Sequence, residues 1–347
     1  MKEKDLKETH YTTFYKELIK CIKEEGDMFN AHLHLDRAGT FNDIYFEEIG
    51  YKVLHNSHIS LCAKHNLINV IHNSLAYKEE DLYKRISYYL NEMEACGTKR
   101  ADTMVDVTAD NVGLHALQIM KKIKLERTGK IDLRIGAYSP FGFKDSDPKR
   151  WEIFEEGVSQ ADFIGSLPEA DDIDDYPEHI GFKEHCIRIL ELAQKHNCMV
   201  HVHTDQRNEP SESGTEQLIH IVQENGFFGK AGEEPKIWAV HMISPSTYDE
   251  LRFQKLVNGL LECNIGVICC PSAAIGMRQL RPVNTPTYNS IPRILELIAA
   301  GVHVRLGSDN ISDICSPSTT ANLIDEVYIL SCALRFYHIT ILAALAA

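Results

Sequence analysis

The apolar positions of this chain keep two rhythms, and these alternate from one end to the other. Short continuous runs rich in Val, Ile and Leu read as buried strands, while apolar residues spaced three and four apart read as one-faced helices. Residues 5–25 open with a helical pattern, Phe14, Leu18, Cys21 and Ile22, which Gly26 ends. The first strand follows in the run Met28-Phe29-Asn30-Ala31-His32-Leu33-His34-Leu35-Asp36. From Asp43 to Asn73 the chain is expected to be mostly helical, with a further helix over about 79–96. The remaining strands are expected at Thr103–Thr108, Leu133–Tyr138, Phe163–Leu167, Met199–His203, Ile237–His241, Gly266–Cys270 and Val302–Gly307. Helical patterns near 111–126, 148–159, 181–196, 213–225, 246–263 and 290–300 separate them, and a last helix starts near Ser318. The acidic run from Glu169 to Asp175 after the fourth strand reads as a solvated loop.

Strands alternating with helices imply a parallel sheet, and eight such units imply a closed α/β barrel. An open doubly wound sheet is the runner-up, but the chain has no glycine-rich phosphate loop. No linker rich in Pro, Gly or Ser interrupts the pattern. Residues 1–347 are therefore expected to form a single (β/α)8 barrel of the TIM type, with 1–27 as an N-terminal helical extension. Composition adds exclusions. With 44% hydrophobic and 25% charged residues the chain reads as an ordinary soluble protein. Its formal charge of -14 argues against nucleic acid or an anionic membrane as a partner. No window approaches the ~18 apolar residues of a membrane span, and no signal-peptide core follows the charged N-terminus. Ten cysteines without a CxxC pair suggest packed thiols in a reducing, cytoplasmic setting. A small molecule is the expected partner, and homo-oligomerisation stays open.

Side chains on a strand alternate faces, so His32 and His34 point to the same side and can grip one ion. Catalytic residues of such barrels sit at the C-terminal ends of strands. There the chain offers His32 and His34 after strand one, His203 after strand five, His241 after strand six and Asp309 after strand eight. All are metal-ligand residue types. His201 shares a face with His203 one layer deeper and reads as interior packing or support. His72, His115, His220 and His303 read as surface or satisfied core.

These pieces resemble the amidohydrolase superfamily, specifically its cytosine-deaminase-like and adenosine-deaminase-like branch. The matching segments are His32-Leu33-His34-Leu35-Asp36-Arg37, Leu192-Ala193-Gln194-Lys195-His196 through His203-Thr204-Asp205-Gln206, Val240-His241-Met242 and Leu306-Gly307-Ser308-Asp309-Asn310. The resemblance implies one divalent transition metal, zinc first and iron second, held by His32, His34, His203 and Asp309. It sets His241 beside the metal-activated water. Binuclear branches carry a carboxylated lysine on strand four, and Phe163–Leu167 contains none.

Three departures qualify the resemblance. Gln206 stands where deaminases of this branch carry a catalytic glutamate three residues after the strand-five histidine. The strand-three loop, Ala137-Tyr138-Ser139-Pro140-Phe141-Gly142, lacks the glutamine with which cytosine deaminases read their substrate, which argues against cytosine. Many relatives add a β-sandwich from both termini, whereas here 27 residues precede the first strand and 38 follow Asp309, so no accessory β-sandwich is expected. Leu342-Ala343-Ala344-Leu345-Ala346-Ala347 also stops inside a helix-like run, the pattern of a truncated gene product.

The expected function is a metal-dependent amidohydrolase or deaminase acting on a carbon–nitrogen bond of a small cyclic or amide substrate. Asp309 would take a proton from the water and His241 would stabilise charge on the attacked centre. Gln206 and Asn310 suit hydrogen bonds to a polar substrate, and Arg37 either faces an anionic or carbonyl group or joins a surface salt bridge. Two alternatives stand beside this: a hydrolase of lactones or phosphoesters, and a catalytically impaired barrel that binds a small ligand.

Overall fold

The computed structural model describes residues 12–59, 61–227, 232–276 and 290–347. Within them β1 (Met28–His34), β2 (Thr98–Asp106), β3 (Asp132–Tyr138) and β4 (Phe163–Ser166) are followed by β5 (Met199–Thr204), β6 (Ile237–His241), β7 (Ile265–Cys269) and β8 (Val304–Leu306). The strands stand in sequence order in one sheet, and every neighbouring pair is parallel. The ends of the sheet meet where the Asp309 N–H donates to the His32 carbonyl at 2.9 Å. This is the expected (β/α)8 barrel, and among the described residues no strand lies outside it.

Helices cover the outside. α1 (Thr13–Glu25) precedes the barrel. α2 (Glu79–Cys96), α3 (His115–Glu126), α4 (Lys149–Val158), α5 (Phe182–His196), α6 (Gly214–Asn225), α7 (Glu250–Glu262) and α8 (Ile294–Ala300) alternate with the strands. α9 (Leu323–Leu334) and α10 (Ile339–Ala346) close the chain. α1 starts where the Thr12 hydroxyl accepts from the Tyr15 N–H, stops at Gly26, and buries Leu18 and Ile22. That apolar stripe packs on α10, so the N-terminal helix is held by the C-terminal one.

Continuous apolar strands are stable here because helices bury one face and the barrel interior buries the other. Met104, Tyr138, Phe163 and Leu167 fill part of that interior. Gly165 makes room for them, since a Cβ at this position would lie 2.0 Å from Met104 Sδ.

Several boundaries differ from the sequence reading for physical reasons. The helix expected over 5–25 is observed from Thr13, and residues 5–11 lie outside the described ones. Asp43–Asn73 is only partly α-helical: a 3-10 turn over Asp43–Ile49 ends at the left-handed Gly50, and two short helices, Leu61–His65 and Ile68–Asn73, follow later. β2 begins five residues early because charges at its start are paired across the sheet, with Asp102 buried and gripped by Arg134, while Lys99 stays exposed. α3 begins late because Thr108 and Gly113 bridge around a turn in which Thr108 Oγ1 donates to Asp110. Most of the loop expected before residue 290 lies outside the described residues. α9 starts at its Asn322 cap rather than near Ser318.

The backbone changes character at the strand ends. Asp205, His241, Met242 and Asp309 all adopt left-handed conformations, with φ of 59°, 76°, 47° and 58°. Each costs a non-glycine residue about 1–3 kcal/mol. All four are at, or next to, residues singled out at the barrel mouth.

Candidate active site

The C-terminal ends of β1, β5 and β8 bring His32, His34, His203 and Asp309 together. One ligand atom from each lies within 4.8 Å of all the others, and all four side chains are buried. Asp309 Oδ1 is 3.5 Å from His32 Nε2 and 3.4 Å from His34 Nε2. His241 approaches from β6, its Nε2 4.0 Å from Asp309 Oδ2. His201 lies one layer deeper, with Nδ1 3.3 Å from His32 Nδ1, as the strand alternation requires.

The donor set fits a cation. His32 Nε2, both ring nitrogens of His241 and Asp309 Oδ2 are buried without a hydrogen-bond partner. Leaving such a group unsatisfied costs about 1–3 kcal/mol, a cost that an ion and its water would relieve. His203 is prepared for the purpose: its Nδ1–H donates to the Ser166 carbonyl at 2.8 Å, which leaves the Nε2 lone pair for a ligand bond. Three imidazoles and one carboxylate are the ligand types of zinc or iron. Burial pushes the His241 ring down to about 4, although Asp309 works against this. Burial, aided by Arg37, lowers His34 to about 3. Both rings are therefore neutral near pH 7. Burial would raise Asp309, but the facing His32 and His34 hold its carboxyl well below the usual range.

Arg37 is only 3% exposed and belongs to a buried network, not to a surface salt bridge. Its Nη2 is 2.8 Å from His34 Nδ1 and its Nε is 3.4 Å from Asp106 Oδ2. His72 joins Asp106 at 2.9 Å to Asp110 at 2.6 Å, so it is a core histidine satisfied by two carboxylates. Asn310 is also turned inward, its amide donating to Asp313. Neither Arg37 nor Asn310 lines the cavity described next.

A cavity of about 750 Å³ opens over the ends of β2 to β5, within the size range of small-molecule sites. Thr108 and Asp110, Ser139 and Phe141, Leu167 and Glu169, and Gln206 and Arg207 line it strand by strand, and His65 joins them. Gln206 is therefore on the wall, as expected of a substrate-facing residue. Its Nε2 donates to Glu169 Oε2 at 2.8 Å.

The acidic run is solvated loop only from residue 172 onward, and its first part corrects that reading. Pro168–Asp171 forms a 3-10 turn in which Asp171 is fully buried, bonded to His179 and His185 at 2.7 and 2.6 Å. Burial, with the Asp205 carboxylate adding to it, pushes the Glu169 carboxyl up to about 7. Sequence reasoning missed both Glu169 and His65. The available signal for Glu169 was its position directly after β4, at the catalytic end of the barrel, and the density of acidic neighbours hid it.

No family model matches the chain. An uncharacterized protein of Haemophilus influenzae is 27% identical over 293 residues, covering 84% of this chain and 97% of that protein. A pterin deaminase of Rhizobium rhizogenes is 22% identical over 260 residues, which are 75% of this chain but 55% of that protein, so the match spans little more than half of that relative. Among solved structures, 5-methylcytosine deaminase from Klebsiella pneumoniae liganded with phosphonocytosine superposes with a TM-score of 0.74 at 24% identity, covering 89% of this chain and 70% of that one. This likeness is one of fold, a parallel eight-stranded barrel.

Proposed function

We propose that this chain is a metal-dependent hydrolase of the amidohydrolase superfamily that breaks a carbon–nitrogen bond in a small cyclic or amide substrate. One observation carries the reading: four buried ligand residues from three strand ends converge within 4.8 Å. They meet at the C-terminal ends of the strands, where catalytic centres of such barrels sit; the cavity opens over the same end, and none of the four is among its lining residues. The reading keeps a cytoplasmic enzyme working on a small molecule. No helix among the described residues is long and apolar enough to cross a membrane.

His32, His34, His203 and Asp309 would hold one divalent transition metal, zinc in the first instance. When bound, such an ion supplies a water whose pKa falls to about 7. The rest of the chemistry belongs to the chain. Asp309 Oδ2, which has no hydrogen-bond partner, takes the proton that water releases as its oxygen adds to carbon. His241, neutral and likewise unpartnered, faces that oxygen with a ring nitrogen and stabilises the charge that develops there. Gln206 on the cavity wall orients the substrate by donating or accepting.

Phe141 and Tyr176 give the cavity flat apolar surface beside polar walls, which suits a planar nitrogen heterocycle. A pterin deaminase and a 5-methylcytosine deaminase among the similar proteins point the same way. The test is ammonia or amine release by zinc-loaded protein from a panel of aminopyrimidines, pterins, aminotriazines and cyclic amides. Turnover of at least one compound that disappears in Asp309→Ala supports the reading. Tight binding without turnover would instead favour the ligand-binding barrel, whose support is the amide at Gln206.

A further inference from the structure

Breaking a carbon–nitrogen bond needs a proton on nitrogen, because an amide or amine anion is too poor a leaving group near neutral pH. Asp309 accounts for a proton removed from oxygen, and the amide of Gln206 can carry none. Most other ionisable groups on the cavity wall are committed elsewhere. Asp110 accepts from Thr108 and pairs with His72. His179 is bonded to Asp171, Asp147 to Arg150, Lys144 to Glu178, and Asp175 to Arg207. Glu169 is different. It lines the same wall as Gln206, comes from the neighbouring strand end, and its side-chain partner there is the Gln206 amide at 2.8 Å.

We propose that Glu169 is the proton-carrying catalytic residue of this site, giving a proton to the substrate nitrogen beside the attacked carbon. This rests on the hydrolase reading above. Gln206 then acts as its positioning residue, fixing one carboxyl oxygen and leaving the group free to exchange a proton.

The step balances for an amidine-type carbon, C(=N)–NH2. Glu169, as the neutral acid, protonates the ring nitrogen while the water oxygen bonds to carbon and Asp309 takes one water proton. The carbon–nitrogen bond breaks as Asp309 returns that proton to the departing amine. Glu169 recovers its proton from the hydroxyl left on carbon. One water is consumed: one of its hydrogens ends on the amine, the other replaces the proton Glu169 gave to the ring nitrogen, and both carboxyl groups return to their starting forms.

The surroundings suit this role. Burial raises Glu169 to about 7, so acid and base forms are both populated near neutrality. Asp205, on the same strand end as Gln206, adds to the rise, while Gln206 and Arg207 oppose it. Glu212 stands close enough to be raised in turn by Glu169, and Asp175 neutralises part of Arg207. On the turn of Glu169 itself, Asp171 is occupied by His179 and His185.

The test compares wild type, Glu169→Gln, Glu169→Asp and His65→Gln, all zinc-loaded, on the panel compound that wild type turns over best. Glu169→Gln keeps the hydrogen-bonding shape toward Gln206, so its melting temperature should match wild type. Its kcat should fall about 10²–10⁴-fold with little change in KM, and Glu169→Asp should recover part of the loss. Wild-type kcat should decline as pH rises past about 7, and that limb should be missing from Glu169→Gln and present in His65→Gln. A second readout needs no turnover: the infrared difference between wild type and Glu169→Gln should show a protonated carboxyl that titrates near neutrality. Full kcat in Glu169→Gln, the limb lost only in His65→Gln, or no titrating carboxyl would each overturn the assignment. Absence of turnover by wild type on every compound would overturn the hydrolase reading itself.

Discussion

Nη2 of Arg37 lies 2.8 Å from Nδ1 of His34. A guanidinium can only donate, so Nδ1 accepts and the proton of the neutral ring sits on Nε2, facing Asp309 Oδ1 at 3.4 Å. His203 has the opposite arrangement, with its proton on Nδ1 toward the Ser166 carbonyl. Arg37 thus fixes the orientation of the His34 ring, with Nε2 turned toward the ligand cluster.

Shortening this side chain should be felt at the metal. A lysine at 37 has one compact ammonium and cannot serve both His34 and Asp106. Arg37→Lys is expected to weaken zinc binding about 10–100-fold, the range seen when a ligand loses its supporting partner. Competition with a chromogenic chelator measures this. Unchanged affinity would show that Arg37 does not support His34.

Gly307 should be hard to replace. A Cβ there would lie 2.7 Å from the His32 carbonyl oxygen and 2.8 Å from its Cβ, and backbone cannot step aside as a flexible side chain can. Gly307→Ala is expected to cost about 1–3 kcal/mol of stability and to weaken metal binding by shifting His32. Gly276→Ala is the control, since among the described residues a Cβ there meets nothing within 4 Å. Thermal melts of the two variants decide, and equal melting temperatures would contradict the close packing of β8 on β1.

The ring of His72 should make stability depend on pH. Burial disfavours its charged form, but Asp106 and Asp110 outweigh that and raise it from 6.5 to about 9. Its folded value lies above the unfolded one. The stabilisation is therefore complete below about pH 6.5 and is lost as pH rises through 9. His72→Gln should cost on the order of 1–3 kcal/mol at pH 6 and much less at pH 9.5, read from urea unfolding. An equal cost at both pH values would mean that the charge contributes nothing.

Gln206 should behave as a positioning and binding group. Gln206→Ala is expected to raise KM more than it lowers kcat, the signature of a lost uniform contact. Gln206→Glu should not improve the native reaction, because a carboxylate there would crowd Glu169, now 2.8 Å away. Loss of kcat in Gln206→Ala as complete as in Asp309→Ala would place Gln206 in the chemical step.

The barrel was legible because its strands are buried on both faces and so read as apolar runs, each followed by a helical period. The histidines were legible for the same reason: a polar residue ending an apolar strand such as Met199–Thr204 has no local explanation. What stayed hidden depended on contacts between distant residues. For Arg37 the sequence left open an anionic or carbonyl group and a surface salt bridge; its pairing with Asp106, from the next strand, appears only in the fold. Glu169 sat in an acidic stretch that resembles solvated loop, and only the pairing of β4 with β5 brings it to Gln206. The polar start of β2 was invisible because Arg134, on β3, neutralises it.

The central claim is one metal at four ligands, and metal content tests it most directly. Protein purified without chelator and reloaded with zinc should retain about one transition-metal ion per chain after exhaustive dialysis, by elemental analysis. Asp309→Ala and His203→Ala should lose it, while His201→Ala, one layer deeper, should keep most of it. Two tightly held ions per chain, or wild-type content unchanged in Asp309→Ala and His203→Ala, would contradict the account.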